Sequence, residues 1–277
     1  MKYRVSKLVT LSQTFSFSNS TRFAAPRLSR QRWLSPLALI LLWELGARTG
    51  VIPAHVLAAP STVTLTAWRM ILSGELPINM LVSLGRAMAG LAIGLVVGST
   101  LAIVAGLSRA GDAMVDPPVQ MLRTLPSLAL TPLFIVWFGI GETPKIALIA
   151  LGTTFPIYLN LYGGIRGIDP KLIEAARTFG LRGADLIRHV ILPGALPAFL
   201  LGLRFALAGS WLILVVAEQI NASAGLGYLI NNARDFARTD VIVVCLVIYA
   251  LLGLGADGLV RALERHALAW RPTLLKA

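Results

Sequence analysis

The sequence is short of charge and of cysteine. Charged residues make up 14% of the 277 residues, 56% are hydrophobic, and the mean hydropathy is +0.75. Soluble domains carry about a quarter charged residues, so this composition excludes an ordinary soluble domain. The single cysteine, Cys245, excludes an internal disulfide, and we interpret it as a small hydrophobic core residue.

The sequence also lacks the motifs that carry most enzymatic chemistry. Its three histidines are scattered, and it has neither an HExxH zinc motif nor paired cysteines. A GxSxG nucleophile elbow is absent, and so is a GxxxxGK[ST] phosphate-binding loop. We therefore expect no catalytic residues and no metal site, and we expect that this chain neither holds a cofactor nor hydrolyses ATP alone.

Long apolar stretches are abundant. A helix that crosses a bilayer needs about 20 mostly apolar residues, and six stretches qualify. Arg123, Pro126 and Pro132 interrupt the third, which is retained because neighbouring helices can satisfy the carbonyl groups that proline frees. The sequence therefore predicts an all-α polytopic membrane protein. The predicted spans are residues 33–52, 84–107, 119–139, 144–162, 194–219 and 241–260.

The net charge of +12 is distributed as a membrane topology requires. Residues 1–32 carry seven Lys or Arg and no acidic residue. If this tail is cytoplasmic, eighteen cationic residues lie on that side and six on the other, as the positive-inside rule expects. Both termini are thus predicted to be cytoplasmic, and no nucleic acid partner is expected. The serine-rich tail superficially resembles an organellar transit peptide, but we interpret it as a solvated tail or a start site placed too early.

Two shorter patterns predict local structure. Pro60-Ser61 is typical of a helix start, and the segment that runs from there to Gly74 is predicted to be an amphipathic helix on the outer surface. Three glycines spaced four residues apart in the second span are predicted to let a neighbouring helix approach closely. These glycines are Gly90, Gly94 and Gly98.

The charged loop 163–193 lies between two apolar stretches, on the predicted cytoplasmic side. Asp169-Pro170 is typical of a helix start, with an aspartate cap and a proline where no amide hydrogen bond is lost. Gly180 is predicted to end this short helix in a left-handed conformation. A second short helix is predicted over "GADLIRHVI", before Leu192-Pro193 begins the next span. A helix-turn-helix between two spans is suited to transmitting movement from a cytosolic partner.

The same loop carries the signature of a known family. The pattern of E-A-A, three residues, G, nine residues, an aliphatic residue, one residue and L-P resembles the EAA loop of ABC importer permeases. Val190 stands where that family usually has isoleucine. The resemblance runs from about residue 33 to residue 271, and stretches such as "GLGYLINNARDFARTDV" are most similar to the aliphatic sulfonate permeases of the nitrate/sulfonate/taurine group.

The resemblance implies a type I, MetI-like permease bundle of about six transmembrane helices with cytoplasmic coupling helices, in a bacterial inner membrane. The permease domain would cover residues 33–271, with the coupling loop at 163–193 and tails at 1–32 and 272–277. The implied partners are a second copy of the chain, two cytosolic ABC ATPase subunits that bind the ATP, and an extracytoplasmic substrate-binding protein. The expected function is ATP-driven uptake of aliphatic sulfonates. One alternative is a permease for taurine, nitrate or another small anion. Another is a secondary transporter, which would leave the charged loop without an explanation.

The resemblance also implies roles for the loop residues, which would couple the permease to its ATPase. The glutamate would make a polar contact or a local cap, the two alanines a closely packed face, and the glycine the turn, while Leu-Pro would set the entry angle of the fifth span. The glutamate could instead pair with Lys171 or Arg177 on a solvated helix. The candidate coupling residues are Glu174, Ala175, Ala176, Gly180, Leu192 and Pro193.

Polar residues within the spans are candidates for the translocation path, because ionisable groups in hydrocarbon are costly. Arg204 lies about 16 Å beyond Pro193 at 1.5 Å per residue, near mid-membrane depth. It could attract an anionic sulfonate, or it could be a structural charge satisfied by adjacent helices. The loop 220–240 is expected to contact the binding protein or to form part of a gate. The candidate path residues are Arg204, Asn160 and Ser210.

Overall fold

The computed structural model describes residues 31–220 and 222–268, and every regular element in these ranges is helical. Of the predicted tails, residues 1–30 and 272–277 lie outside the described residues, while Gln31 and Arg32 begin the first helix. The helices are α1 (Gln31–Arg48), α2 (Pro60–Leu72), α3 (Glu75–Leu107), α4 (Arg109–Arg123), α5 (Thr131–Phe138), α6 (Glu142–Arg166), α7 (Pro170–Thr178), α8 (Gly183–Leu186), α9 (Leu192–Gln219), α10 (Leu226–Asp235) and α11 (Thr239–Ala267), with a 3₁₀ turn at Ser127–Leu130 and a π turn at Ile187–Ile191.

The prediction of an all-α chain is confirmed for the described residues. Fewer of their helices than the six predicted spans are long and apolar enough to cross a membrane. Among those residues, α3, α6, α11 and the continuous helix Gly183–Gln219 are long and apolar enough to span a bilayer. The first predicted span forms α1, which is not among them because its eighteen residues include Arg32, Glu44 and Arg48.

The predicted third span, 119–139, is not one straight helix. α4 ends at Arg123, and the 3₁₀ turn with α5 continues at 87° to it, so the two pieces together make at most one bent span. Proline explains the break, since Pro126 lacks an amide hydrogen and disfavours a helical conformation in the residue before it. The segment was expected to form one span because neighbouring helices can pair the carbonyl groups that proline frees. The structure shows a bend there instead.

Helix α6 forms the centre of the bundle, with α3 packed on one side and α9 on the other. The predicted glycine contact is confirmed, because a Cβ atom on Gly94 would lie 2.1 Å from Thr153 Oγ1, and one on Gly98 would lie 2.7 Å from the Thr154 carbonyl oxygen. The α6–α9 contact uses the same device, since Gly202 lies against the Pro156 carbonyl oxygen. Glycine at these positions lets the helix backbones approach each other.

The predicted helix after Ala59 is confirmed as α2, which begins at Pro60 and is followed by Gly74 in a left-handed conformation (φ 78°), while its place on the outer surface stays a prediction. Thr66 Oγ1 donates a hydrogen bond to Asp240 Oδ2 at 2.7 Å, which fixes the buried face of α2 against α11. The carboxylate of Glu44 accepts hydrogen bonds from the backbone N–H and hydroxyl of Ser61, at 3.0 and 2.8 Å, and so ties α1 to the start of α2. Glu44 is therefore explained by local structure.

Candidate functional site

The sites of interest lie at two ends of the bundle. At the loop end, α6 ends and α9 begins, and the loop 163–193 joins them. At the opposite end, α6 begins and α9 ends.

The first helix of the loop begins as predicted. Asp169 lies just before α7, and its Oδ1 accepts a hydrogen bond from the Lys171 backbone N–H at 2.9 Å. Pro170 occupies the first helical position, where its missing amide hydrogen costs no bond. The entry to α7 is therefore built from residues local to the loop.

The exit from α7 is also as predicted. Gly180 has a φ of +86°, the left-handed conformation that glycine adopts without steric cost. Its N–H donates to the Arg177 carbonyl at 3.0 Å, and the Leu181 N–H donates to the Ala176 carbonyl at 3.1 Å. These two bonds form a Schellman motif, which satisfies carbonyl groups at the end of the helix. The loop thus turns at a defined position.

The sequence suggested that the second helix of the loop ends before the next span, but the structure differs. The helix continues without a break from Gly183 to Gln219. A π turn at Ile187–Ile191 precedes Leu192-Pro193, and the Leu192 N–H bonds to the Ile187 carbonyl five residues earlier. The π turn stands just before Pro193, where a proline in a helix removes one regular hydrogen bond. Movement of the loop would therefore be passed directly to α9.

The loop presents polar and apolar groups to its surroundings. Among the predicted coupling residues only Ala176 is buried, while Glu174 and Ala175 are exposed. Two large apolar side chains of the same helix-turn segment are exposed as well, Leu172 at 52% and Phe179 at 87%. Within the described residues Glu174 makes no ion pair, so the alternative, a pairing with Lys171 or Arg177, is not formed. Within residues 31–220 and 222–268 this surface stays exposed.

A row of polar contacts at the loop end, which sequence reasoning missed, fastens α4 to the last turns of α6. Tyr158 Oη donates to Asp116 at 2.9 Å, Tyr162 Oη donates to Asp112 at 2.6 Å, and Arg166 pairs with Asp112 at 2.5 Å. The two tyrosine rings are stacked, 5.6 Å apart, and the Arg166 guanidinium lies over one of them. We call this group the aspartate–tyrosine ladder. The only sequence signal is the four-residue spacing within each helix, which does not show that the two rows meet.

Arg204 is paired rather than free. Its Nε donates to Asp257 of α11 at 2.8 Å, and the other oxygen of that carboxylate accepts from Arg261. The three side chains are partly exposed. The contact supplies the partner that a structural charge requires, and it leaves the group of three with a net charge of +1.

The other candidate path residues lie apart from Arg204. Asn160 donates to the Pro156 carbonyl at 2.8 Å and lines an open groove of about 680 Å³ between α6 and α9, together with Gly163, Gly194 and Leu201. Ser210 is fully buried, and its hydroxyl bonds the Leu207 carbonyl of its own helix. The structure therefore does not gather the three residues into one site.

The opposite end holds a charge cluster that the sequence did not reveal. Glu218 is fully buried near the end of α9, and Arg86 of α3 donates to it at 2.6 Å. Ser83 and Tyr249 also donate hydroxyl hydrogen bonds to the same carboxylate, at 2.7 and 3.0 Å. Removing one partner of a buried ion pair typically costs about 3–5 kcal/mol, because the other charge is left buried without a counterion, so Arg86 and Glu218 depend on each other.

Arg86 also donates hydrogen bonds to a second carboxylate, that of Glu142. Its Nη2 donates to Glu142 Oε1 at 2.7 Å, its Nε donates to the other oxygen, and Lys145 Nζ lies 3.2 Å from Oε1. Arg86 and Lys145 are buried, whereas the Glu142 side chain is 51% exposed. Together with Glu218 these residues form what we call the buried charge cluster, which contains two cations and two carboxylates.

The cluster positions the chain between α9 and α10. Arg86 donates to the Ala224 carbonyl, and the Gly227 N–H donates to Glu218 at 2.9 Å. Gly225 has a φ of +111°, and a Cβ atom there would lie 2.5 Å from Glu218 Oε1. The turn therefore rests directly on the charges, and only glycine fits at its tightest point.

Comparison with known proteins agrees with this architecture. Residues 90–268 match the family model described as "Binding-protein-dependent transport system inner membrane component". The chain is 48% identical over 240 residues to a protein of Escherichia coli K12 whose name assigns it to aliphatic sulfonate transport, the SsuC permease; the match covers 87% of this chain and 91% of that one. A Bacillus subtilis 168 protein of the same name is 45% identical over 250 residues, covering 89% and 91% of the two chains.

A solved structure supports the same fold. The crystal structure of an amino acid ABC transporter superposes with a TM-score of 0.57 at 20% identity, covering 73% of this chain and 96% of that one. At this identity the likeness concerns the fold alone. The family match covers most of the chain, and the two relatives match nearly end to end. The chain therefore belongs to the family of binding-protein-dependent transport system inner membrane components: it is an ABC importer permease.

Proposed function

We propose that the chain is the permease subunit of an importer for aliphatic sulfonates. The observation that carries this proposal is the identity of 48% and 45% to two aliphatic sulfonate permeases over nearly their whole lengths, in two distant bacteria. The substrate would be a small amphiphile with an anionic head and an alkyl tail. The chain would form the path and perform no catalysis itself, which agrees with its lack of catalytic motifs.

The loop 163–193 is proposed to be the contact with the ATPase. Exposed Leu172 and Phe179 beside exposed Glu174 give it an apolar surface with a carboxylate, which no described residue of the chain covers. The rigid exit at Gly180 and the unbroken helix into α9 suit it to pass a displacement into the bundle. The aspartate–tyrosine ladder would make α4 follow the end of α6 when the loop moves.

The partners and the orientation belong to the same proposal. Two copies of the chain would assemble with two ATPase subunits, which bind the ATP, and with an extracytoplasmic binding protein. The loop end would face the cytoplasm together with both termini, as the distribution of Lys and Arg favours. The buried charge cluster and α10 would then face outward, where α10 exposes Asn232, Arg234 and, just beyond it, Phe236 to a docked binding protein.

Of the proposed path residues, Asn160 has the most favourable surroundings, because it lines the groove beside α9. Arg204 remains a candidate for attracting the anion, although its pairing with Asp257 favours a structural role. Ser210 has its hydroxyl engaged within α9, so a role in the path would require the helix to move.

Uptake by a strain that lacks its own sulfonate, taurine and nitrate importers tests the proposal. The chain would be expressed with its ATPase and binding protein, and labelled alkanesulfonate, taurine and nitrate would be offered separately. We expect ATP-dependent uptake of the alkanesulfonate and little of the others. Uptake of taurine or nitrate alone would replace the proposed substrate, and uptake that persists after ATP depletion would indicate a secondary transporter.

A further inference from the structure

Two buried cations hold one half-exposed carboxylate at the end of the bundle opposite the loop. Arg86 and Lys145 are each 4% exposed, whereas the Glu142 side chain is 51% exposed. Glu142 stands in the first turn of α6 and reaches the cations from the surface. The other carboxylate, Glu218, is fully buried and held by Arg86, Ser83 and Tyr249. The two carboxylates of the cluster are therefore not equivalent, and only Glu142 is placed to leave.

The contacts of Glu142 are those that an oxyanion makes in a binding site. Arg86 approaches with two nitrogens, one toward each oxygen, and Lys145 adds a third donor at 3.2 Å. A guanidinium that donates two parallel hydrogen bonds recognises carboxylates and other oxyanions with the same geometry. A sulfonate head presents three such oxygens. Glu142 thus occupies the position that the head of an anionic ligand would take.

The charge balance favours exchange of the Glu142 carboxylate for another anion over withdrawal of Glu142 alone. With Glu142 withdrawn, Arg86, Lys145 and Glu218 would carry a net charge of +1 in a buried place, which is costly without a counterion. Within the described residues the hydrogen-bond partner of the Lys145 ammonium is Glu142, and an ammonium has three donors that an oxyanion with three oxygens could share with Arg86. A small cavity that Lys145 lines, and that neither Arg86 nor Glu142 lines, measures about 10 Å³, room for about one water. This space is too small for a sulfonate head, and the donors of both cations already point at Glu142, so an arriving anion would replace Glu142.

We propose that Arg86 and Lys145 form a binding site for the sulfonate head of the substrate, occupied by the Glu142 carboxylate in the absence of ligand. The anion displaces Glu142 as it enters from the side of the binding protein. Because Arg86 also holds Glu218 and the Ala224 carbonyl, occupation of this site is linked to the turn that begins α10. This inference rests on the proposed function, and it names the place where the permease first contacts its substrate.

The test uses the permease purified with its ATPase subunits in lipid nanodiscs, without binding protein. Binding of hexanesulfonate is measured by calorimetry for wild type, Glu142→Gln and Glu142→Gln/Lys145→Gln. We expect Glu142→Gln to tighten binding about tenfold, equivalent to about 1.4 kcal/mol, because the competing carboxylate is gone. The double variant should lose that gain. Glu75→Gln is the matched control, since Glu75 is an exposed carboxylate at the start of α3 with no ion pair within the described residues.

A second variant guards against misfolding. Glu142→Asp keeps the charge but shortens the side chain by one carbon, and we expect its affinity to lie between wild type and Glu142→Gln. Hexylamine, with the same tail and the opposite charge, should bind equally poorly to all variants. The inference is overturned if Glu142→Gln and Glu142→Asp both leave the affinity for hexanesulfonate at the wild-type value, or if the double variant Glu142→Gln/Lys145→Gln keeps the gain of Glu142→Gln. Normal sulfonate uptake by the wild type in that case would keep the proposed function and reject only this site.

Discussion

Substitution of Gly180 tests the loop most directly. Its φ of +86° is a conformation that residues with a Cβ atom adopt at a cost of about 1 kcal/mol, and a β-branched residue pays more. No atom of the described residues lies within 4 Å of the position that a Cβ atom would take, so the cost is conformational and no steric clash adds to it there. Since about 1.4 kcal/mol is a tenfold change in an equilibrium, Gly180→Val is expected to reduce the population of the observed turn by roughly tenfold or more.

The expected phenotype separates coupling from folding. Gly180 lies outside the packed bundle, so both Gly180→Ala and Gly180→Val should reach the membrane in normal amount. Retention of the ATPase on purification should fall in the alanine variant and further in the valine variant, and sulfonate uptake should follow the same order. Gly258→Ala is the control, because Gly258 is a helical glycine of α11 whose added Cβ would also meet nothing within 4 Å. Normal uptake and normal ATPase retention in Gly180→Val would refute the assignment of this loop.

Three further predictions concern other parts of the molecule. Arg204→Ala and Asp257→Asn should each lower the amount of assembled permease, because each removes the 2.8 Å ion pair between the two residues. Uptake that is lost while the permease stays at normal abundance would show instead that Arg204 serves the substrate. Tyr162→Phe should destabilise the loop end by about 1 kcal/mol, because the hydrogen bond from Tyr162 to Asp112 is lost. It should lower ATP-driven uptake without changing sulfonate binding, and unchanged uptake would leave the aspartate–tyrosine ladder without a role in coupling. A single cysteine at position 182 should be shielded from an impermeant thiol reagent in intact cells while one at position 232 is labelled, and the reverse pattern would invert the orientation.

Local features of the fold were predictable because short-range chemistry produces them. An aspartate before a proline starts α7 through one side-chain hydrogen bond, and a glycine ends it because no other residue enters the left-handed region as readily. Gly94 and its neighbours allow a close helix contact for the same kind of reason, the absence of a Cβ atom. The family signature in the loop 163–193 is likewise a short pattern. In each case the determining atoms lie within a few turns of one helix.

Contacts between distant segments could not be read from the sequence. Arg86 and Glu218 are separated by 132 residues, and neither has a periodicity or neighbour that indicates the other. Tyr162 and Asp112 meet only because α4 folds back along α3, which brings its aspartates within reach of α6, and the bend that follows α4 is seen only in the structure. The sequence therefore identified the family and the loop 163–193, whose coupling role is a proposal. The tertiary structure alone revealed the buried charge cluster, because ionic partners are chosen by proximity in the packed bundle.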